Sequence, residues 1–182
     1  MWKLNKQIAV LAMCACIGTF SSCEKTLEVK PEDRLDKSRV YNTVADADAA
    51  VFGIYGQVAG LGAQYILWNE LRADLMDVTA NADPYLQQIS DHEVVKGNPY
   101  TDPTAFFKVI FNCNDVLKNF QIMADEGKML QEEFAERYSD IAVLRSWLYL
   151  QLGIHFGQIP YIKDAIENVD ELQFLSEKPK LS

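Results

Sequence analysis

Two histidines, four cysteines and no long apolar run set the first limits on this 182-residue chain. Its most apolar stretch, Ile8 to Phe20, covers 13 residues. A helix needs roughly 18–20 to cross a ~30 Å hydrocarbon core. Basic residues are scarce as well: 17 Lys and Arg stand against 26 Asp and Glu, for a net charge of −9. No basic cluster or stripe occurs, which excludes a nucleic-acid partner held by such a patch. There is no Gly-x-Ser-x-Gly, no Cys-His pairing and no phosphate-cradling glycine loop. Asp91, His92 and Glu93 invite a metal or general-base reading. Adjacent loop residues rarely converge on one ion, however, and no second histidine lies near them. Asp74 and Asp77 are a carboxylate pair of the type glycosidases use, but three residues apart on a helix they read more simply as a solvated face. The chain is therefore read as a non-enzyme, with no metal and no cofactor.

What is present begins with export. Lys3 and Lys6 precede the short apolar run, which ends in small residues at "FSSCEK", residues 20–25. A basic start, a short apolar centre and small residues before a break mark a secretory leader, here residues 1–22. Cys14 and Cys16 would leave with it, taking two lysines and no acid, so the remaining charge is −11. Cys23 is an ordinary thiol, half of a disulfide, or the first residue of the mature chain. If Cys23 is used covalently, Cys113 has no partner, and "VIFNCNDVL" places Cys113 on a helical apolar stripe, where a free Cys packs as a small hydrophobe. The roughly 160 residues left suffice for one core but not two.

Residues 23–42 are charged and aperiodic and read as a tether. The rest, 43–182, reads as helical. Thr43 and Asp46 approximate a capping box, and the recurrence of Ala47, Ala50, Val51, Ile54, Tyr55 and Val58 predicts a helix over 46–59. Gly60 and Gly62 stop it. A second helix is predicted over 63–79, with Leu67, Leu71, Leu75 and Val78 as its stripe. Residues 80–102 carry Asn, Asp, Gly and prolines and read as one long loop, of the kind that often carries binding function. A third helix, 103–123, has Pro103 in its first turn and apolar residues Phe106, Ile110, Cys113, Leu117 and Phe120. Val109, Val116 and Met123 give it a second apolar edge. A fourth helix, 129–156, points Phe134, Ile141, Leu144, Leu148 and Leu152 at the core. A strip of Ala135, Ala142, Ser146 and Gly153 would let another helix approach closely. Gly157 and Pro160 end it. His155 reads as a cation at that helix's C-terminus. Arg145, beside Leu144 and Leu148, calls for a carboxylate such as Asp140 or Glu70. No strand pattern competes, so the fold class is all-α, with helices three and four as an antiparallel hairpin. Apolar faces left uncovered near the end lead to the expectation of a truncated domain.

Residues 144–161, "LRSWLYLQLGIHFGQIPY", closely resemble a signature of the SusD/RagB family of outer-membrane lipoproteins. Leu144, Arg145, Tyr149, Leu152, Phe156, Gly157 and Pro160 match it, with Ser146 for Ala and Ile159 for Val. "WNELRADLMDVTANAD" and "FFKVIFNCNDVL" resemble further family segments in the same order, and "FSSCEK" resembles the family's lipobox, with Phe20 in place of Leu. The resemblance implies stacked helix pairs, a tetratricopeptide-like α-α superhelix with long irregular loops, of which this chain is the N-terminal part. It implies lipidation at Cys23 and residence at the outer membrane, facing the exterior. It also implies a SusC-like TonB-dependent β-barrel transporter as partner, and a polysaccharide, oligosaccharide or peptide as ligand.

Saccharide sites set sugar faces against aromatic rings and satisfy hydroxyls with a few placed polar groups. Trp68, Tyr85, Asn98 and Tyr100, in or beside the 80–102 loop, are the residues able to do so. The competing reading, favoured for each taken singly, is helix packing for Trp68 and solvated loop for the others. The alternative function from another class is a small helical lipoprotein serving as scaffold or assembly factor, without a ligand.

Overall fold

The computed structural model describes residues 40–166 and the backbone of residues 180 and 181. The leader, Cys23 and residues 24–39 of the expected tether lie outside the described residues.

Helix α1 spans Val44–Gly60. Its start is set by reciprocal capping, as the sequence implied. The Thr43 amide donates to Asp46 Oδ2 at 2.8 Å, and the Asp46 amide donates to Thr43 Oγ1 at 3.3 Å. Two backbone donors that a helix start leaves without partners are thus satisfied. Ala47, Val51 and Ile54 are buried, whereas Tyr55, counted on the apolar face, is 39% exposed. Its hydroxyl instead donates to Asp140 at 2.9 Å.

Helix α2, Gly62–Ile66, follows after a 47° bend and widens into a π turn over Leu67–Leu71. The helix expected to reach residue 79 therefore ends eight residues early. Past Leu71 the Leu75 and Met76 amides both turn back onto the Glu70 carbonyl, at 3.0 and 3.2 Å, and Asp74 takes a left-handed φ of 57°. The cause is the lack of a counter-surface among the described residues: Leu75 is 73% exposed. A short helix is held by burial of its apolar face more than by propensity, so a stripe without a core to meet cannot extend it.

The 80–102 segment is not one loop. Helix α3, Pro84–Ser90, carries Asp83 as its cap and Pro84 at its first position, a pairing suited to a helix start. Ile89, fully buried, pins it to the core. A 3₁₀ turn over Pro99–Thr101 is capped by Asn98.

Helix α4 covers Thr104–Asp125, with Pro103 at its N-cap and not inside its first turn. Helix α5 covers Gln131–Phe156. Residues 126–130 turn the chain back so that α5 packs along α4, and α1 packs on both. The core expected on α4 is the core found. Phe106, Ile110, Cys113, Leu117 and Phe120 are buried, as are Val109, Val116 and Met123 on its second edge. On α5, Ile141, Leu148 and Leu152 are fully buried, while Phe134 and Leu144 are half-buried against the same cluster. Arg137 Nε meets Asp48 Oδ1 at 2.7 Å and ties α5 to α1. Gly157, with φ of 70°, ends α5 in a conformation that suits glycine. The fold is all-α; β structure among the described residues is a two-residue antiparallel pairing of Ile159–Pro160 with Lys180–Leu181.

The segment after α5 is strapped to the hairpin by polar side chains. Tyr149 Oη donates to the Ile162 carbonyl at 2.7 Å and accepts from the Ile162 amide at 2.9 Å. Asn114 Nδ2 donates to the carbonyls of Ile162 at 2.9 Å and Asp164 at 3.2 Å. Arg145 Nη1 donates to Asn114 Oδ1 at 2.8 Å. Neither carboxylate expected for Arg145 takes it: Asp140 is engaged by Tyr55, and the guanidinium binds an amide oxygen. Arg145 is half-buried, so water covers part of its charge and a neutral acceptor suffices.

Candidate functional site

Where the π turn of α2, the C-terminus of α5 and the segment around α3 meet, Trp68 is the hub. Its ring stacks on Phe106 (centroids 4.5 Å apart, planes 19°) and meets Phe156 edge-on at 5.0 Å and His155 at 5.3 Å. It is 2% exposed, and its Nε1–H donates to the Tyr100 carbonyl at 2.7 Å. A buried indole of this kind combines a large apolar contact with a satisfied donor.

That bond leads into the turn. Asn98, itself 3% exposed, accepts the Tyr100 amide at 3.0 Å and donates to the Tyr85 carbonyl at 2.8 Å and Gln88 Oε1 at 3.1 Å. The four residues singled out from the sequence are therefore linked in one chain of hydrogen bonds, from Trp68 through Tyr100 and Asn98 to Tyr85. Trp68 lines a cavity. Asn98 and the Tyr100 backbone set the shape of the turn beside it, and the Tyr85 ring is 41% exposed.

The cavity has a volume of about 310 Å³ and is lined by Trp68, Arg72, Ile89, His92, Val94, Thr101, His155 and Phe156. That is the lower end of the ~300–1,000 Å³ usual for small-molecule sites. Its lining combines the apolar or aromatic Trp68, Ile89, Val94 and Phe156 with the polar Arg72, His92, Thr101 and His155. Arg72 Nη1 lies 2.9 Å from His155 Nδ1. Burial, then the charge of Arg72, lowers the proton affinity of His155 below the usual histidine range. The expectation of a cation at the end of α5 is corrected: the ring is neutral, because it is partly desolvated beside a guanidinium. His155 Nε2 is buried and has no hydrogen-bond partner. His92 Nε2 lies 3.5 Å from Asp74 Oδ1, and both residues have left-handed φ, 58° and 57°. Non-glycine residues in that conformation are uncommon and tend to gather at functional sites.

Arg72, His155 and Phe156 were not singled out as site residues from the sequence. One signal was available for Arg72, which follows Trp68 by four residues and so shares its helix face. Two larger hollows, about 530 and 420 Å³, lie along α5 on either side of Arg145. The larger exposes Leu150 and Ile154 beside Ser146 and Gly153, the last two from the small-residue strip. Neither carries a buried polar atom without a partner. Among the described residues no three His, Cys, Asp or Glu side chains gather as a metal site would require.

Fold and cavity together define an all-helical scaffold with an aromatic-walled, donor-lined hollow. The chain is 25% identical to SusD-like protein P2 of Formosa agariphila, across 98% of its own length and 34% of that protein. It is 24% identical to SusD-like protein P38 of the same organism, across 91% of its own length and 32% of that protein. The chain is similar to the N-terminal portions of these SusD-like proteins and spans about a third of their length. No protein-family model and no solved structure matches the chain.

Proposed function

We propose that the chain captures a nutrient, a glycan or oligosaccharide, at the cell surface and passes it to a SusC-like TonB-dependent barrel. Cys23 holds it on the outer membrane. A diacylglycerol thioether plus an N-acyl chain supplies more than one hydrocarbon anchor, enough for stable residence without a span. The observation that carries the reading is the aromatic-walled cavity around Trp68, in a chain similar to SusD-like proteins. Aromatic walls with a few fixed donors suit the apolar faces and hydroxyl edges of a sugar. The volume of about 310 Å³ fits a short segment of a saccharide, not a whole polymer. Tyr85, exposed and hydrogen-bonded through its carbonyl to the Asn98 side chain, extends the surface a longer glycan would meet. Trp68, Asn98 and Tyr100 contribute as wall and frame.

The test is co-purification of the chain with the TonB-dependent barrel encoded beside it, followed by binding to a polysaccharide panel. Recovery of the barrel and of at least one saccharide ligand is expected. Loss of both would overturn the reading in favour of a ligand-free scaffold lipoprotein.

A further inference from the structure

The polar atoms of the cavity say more about its ligand than its volume does. Arg72 is always protonated and has no acceptor, so in its contact with His155 the guanidinium donates and Nδ1 accepts. That bond fixes the tautomer of a neutral imidazole: the remaining ring proton sits on Nε2. Nε2 is buried and unpartnered. Buried, it is out of reach of a ligand in the cavity, so Arg72 is the donor that the cavity presents. Arg72 is exposed, and its guanidinium keeps further N–H groups in a planar fork beyond the one given to His155. Other polar lining groups are occupied within the fold. Thr101 Oγ1 donates to the Asn98 carbonyl at 3.0 Å, and His92 faces Asp74. The remaining wall, Trp68, Ile89, Val94 and Phe156, is apolar or aromatic.

We propose that this cavity is a subsite for an acidic sugar, a saccharide unit bearing a carboxylate, which accepts from the exposed edge of the Arg72 guanidinium, while His155, through Nδ1, holds that guanidinium in position. The inference rests on the nutrient-capture reading and narrows its ligand class. A planar fork of donors with a fixed positive charge matches a carboxylate better than a hydroxyl. Charge-assisted hydrogen bonds are roughly twice as strong as neutral ones, and the arginine fork fits a carboxylate in bidentate fashion. The chain's net charge of −9 opposes an anion, and the Asp74 carboxylate beside the cavity-lining His92 faces that histidine. At physiological ionic strength that opposition is screened beyond about 8 Å, so the donors in direct contact decide.

The experiment is calorimetric titration of the detergent-solubilised full chain with trimers of galacturonate, glucuronate and mannuronate. Their methyl esters and the neutral hexose trimers serve as comparison. At least one acidic trimer is expected to bind about tenfold or more tighter than its ester and neutral counterpart. Arg72→Gln should weaken that acidic ligand by about tenfold or more, His155→Phe should weaken it less, and each should cost the acidic trimer more than the neutral ones. Arg72 is exposed, so Arg72→Gln keeps the test decisive should His155→Phe fail to fold. Equal binding of acidic, esterified and neutral trimers, or an unchanged affinity in Arg72→Gln, would overturn the acidic-sugar assignment and leave nutrient capture standing. Absence of binding by any saccharide would overturn both.

Discussion

Removing one oxygen from Tyr149 should loosen the segment that follows α5, and the structure sets the size of the effect. The Tyr149 hydroxyl both donates to and accepts from the backbone of Ile162, a residue only 2% exposed. In Tyr149→Phe the Ile162 carbonyl keeps the Asn114 amide at 2.9 Å, so only the Ile162 N–H is left without a partner. A buried orphan costs about 1–3 kcal/mol, and the lost O–H donation adds about 0.5–1.5 kcal/mol. The total is about 2–4 kcal/mol, or roughly 4–16 °C in melting temperature for a chain of this size. Denaturant unfolding of the wild type and variant measures it, and hydrogen exchange at Ile162 localises it. Asn114→Ala should interact with Tyr149→Phe non-additively, because both side chains hold the same carbonyl. A loss under about 0.5 kcal/mol, with the Ile162 amide still protected, would refute the strap as described.

The remaining predictions concern titration. Burial pushes the Cys113 thiol up to about 11. Because its folded value is raised, the stability it lends is intact below the unfolded value near 9 and is lost as pH rises from about 9 to 11. That amounts to roughly 2–3 kcal/mol, so Cys113→Ala should flatten the alkaline limb of a pH–stability curve. The same thiol should resist alkylation at pH 8 until the chain is unfolded; rapid labelling of Cys113 in the native state would contradict its placement. His155 has the opposite sign. Its folded value is depressed, so its contribution is present above the unfolded value near 6.5 and is lost as pH falls toward the lower folded value. Urea midpoints between pH 7.5 and 5 should therefore fall in the wild type and fall less in His155→Gln; parallel curves would remove His155 as the cause.

Helices α1, α4 and α5 were legible in the sequence because each buries a face against the other two, so the apolar spacing had one meaning. Leu75 shows the limit of that logic. Its spacing from Leu67 and Leu71 is helical, but no surface among the described residues lies opposite it, and the helix stops. The start of α3 was legible in Asp83-Pro84 and was obscured by the turn-forming residues around it. Arg145 was read by burial alone; its acceptor, Asn114, lies on the neighbouring helix, and spacing within one helix cannot reveal it. The candidate site was half legible. Trp68, Tyr85, Asn98 and Tyr100 do form one network, but Arg72 and its partner His155, on the cavity wall, are 83 residues apart. Which of their atoms keeps a partner and which does not is decided by tertiary packing.

The central claim is that the hollow around Trp68 receives a saccharide. The most direct measurement is intrinsic tryptophan fluorescence of the full chain during titration with a saccharide that it captures, in the wild type and in Trp68→Phe. The melting temperature of the variant is recorded to certify its fold. The chain has three tryptophans, Trp2, Trp68 and Trp147; of the two among the described residues, Trp68 lines the cavity and Trp147 does not. The account predicts a saturable change in the wild type that disappears in Trp68→Phe, with the affinity for the saccharide weakened as well. The same change and the same affinity in the folded variant would contradict it.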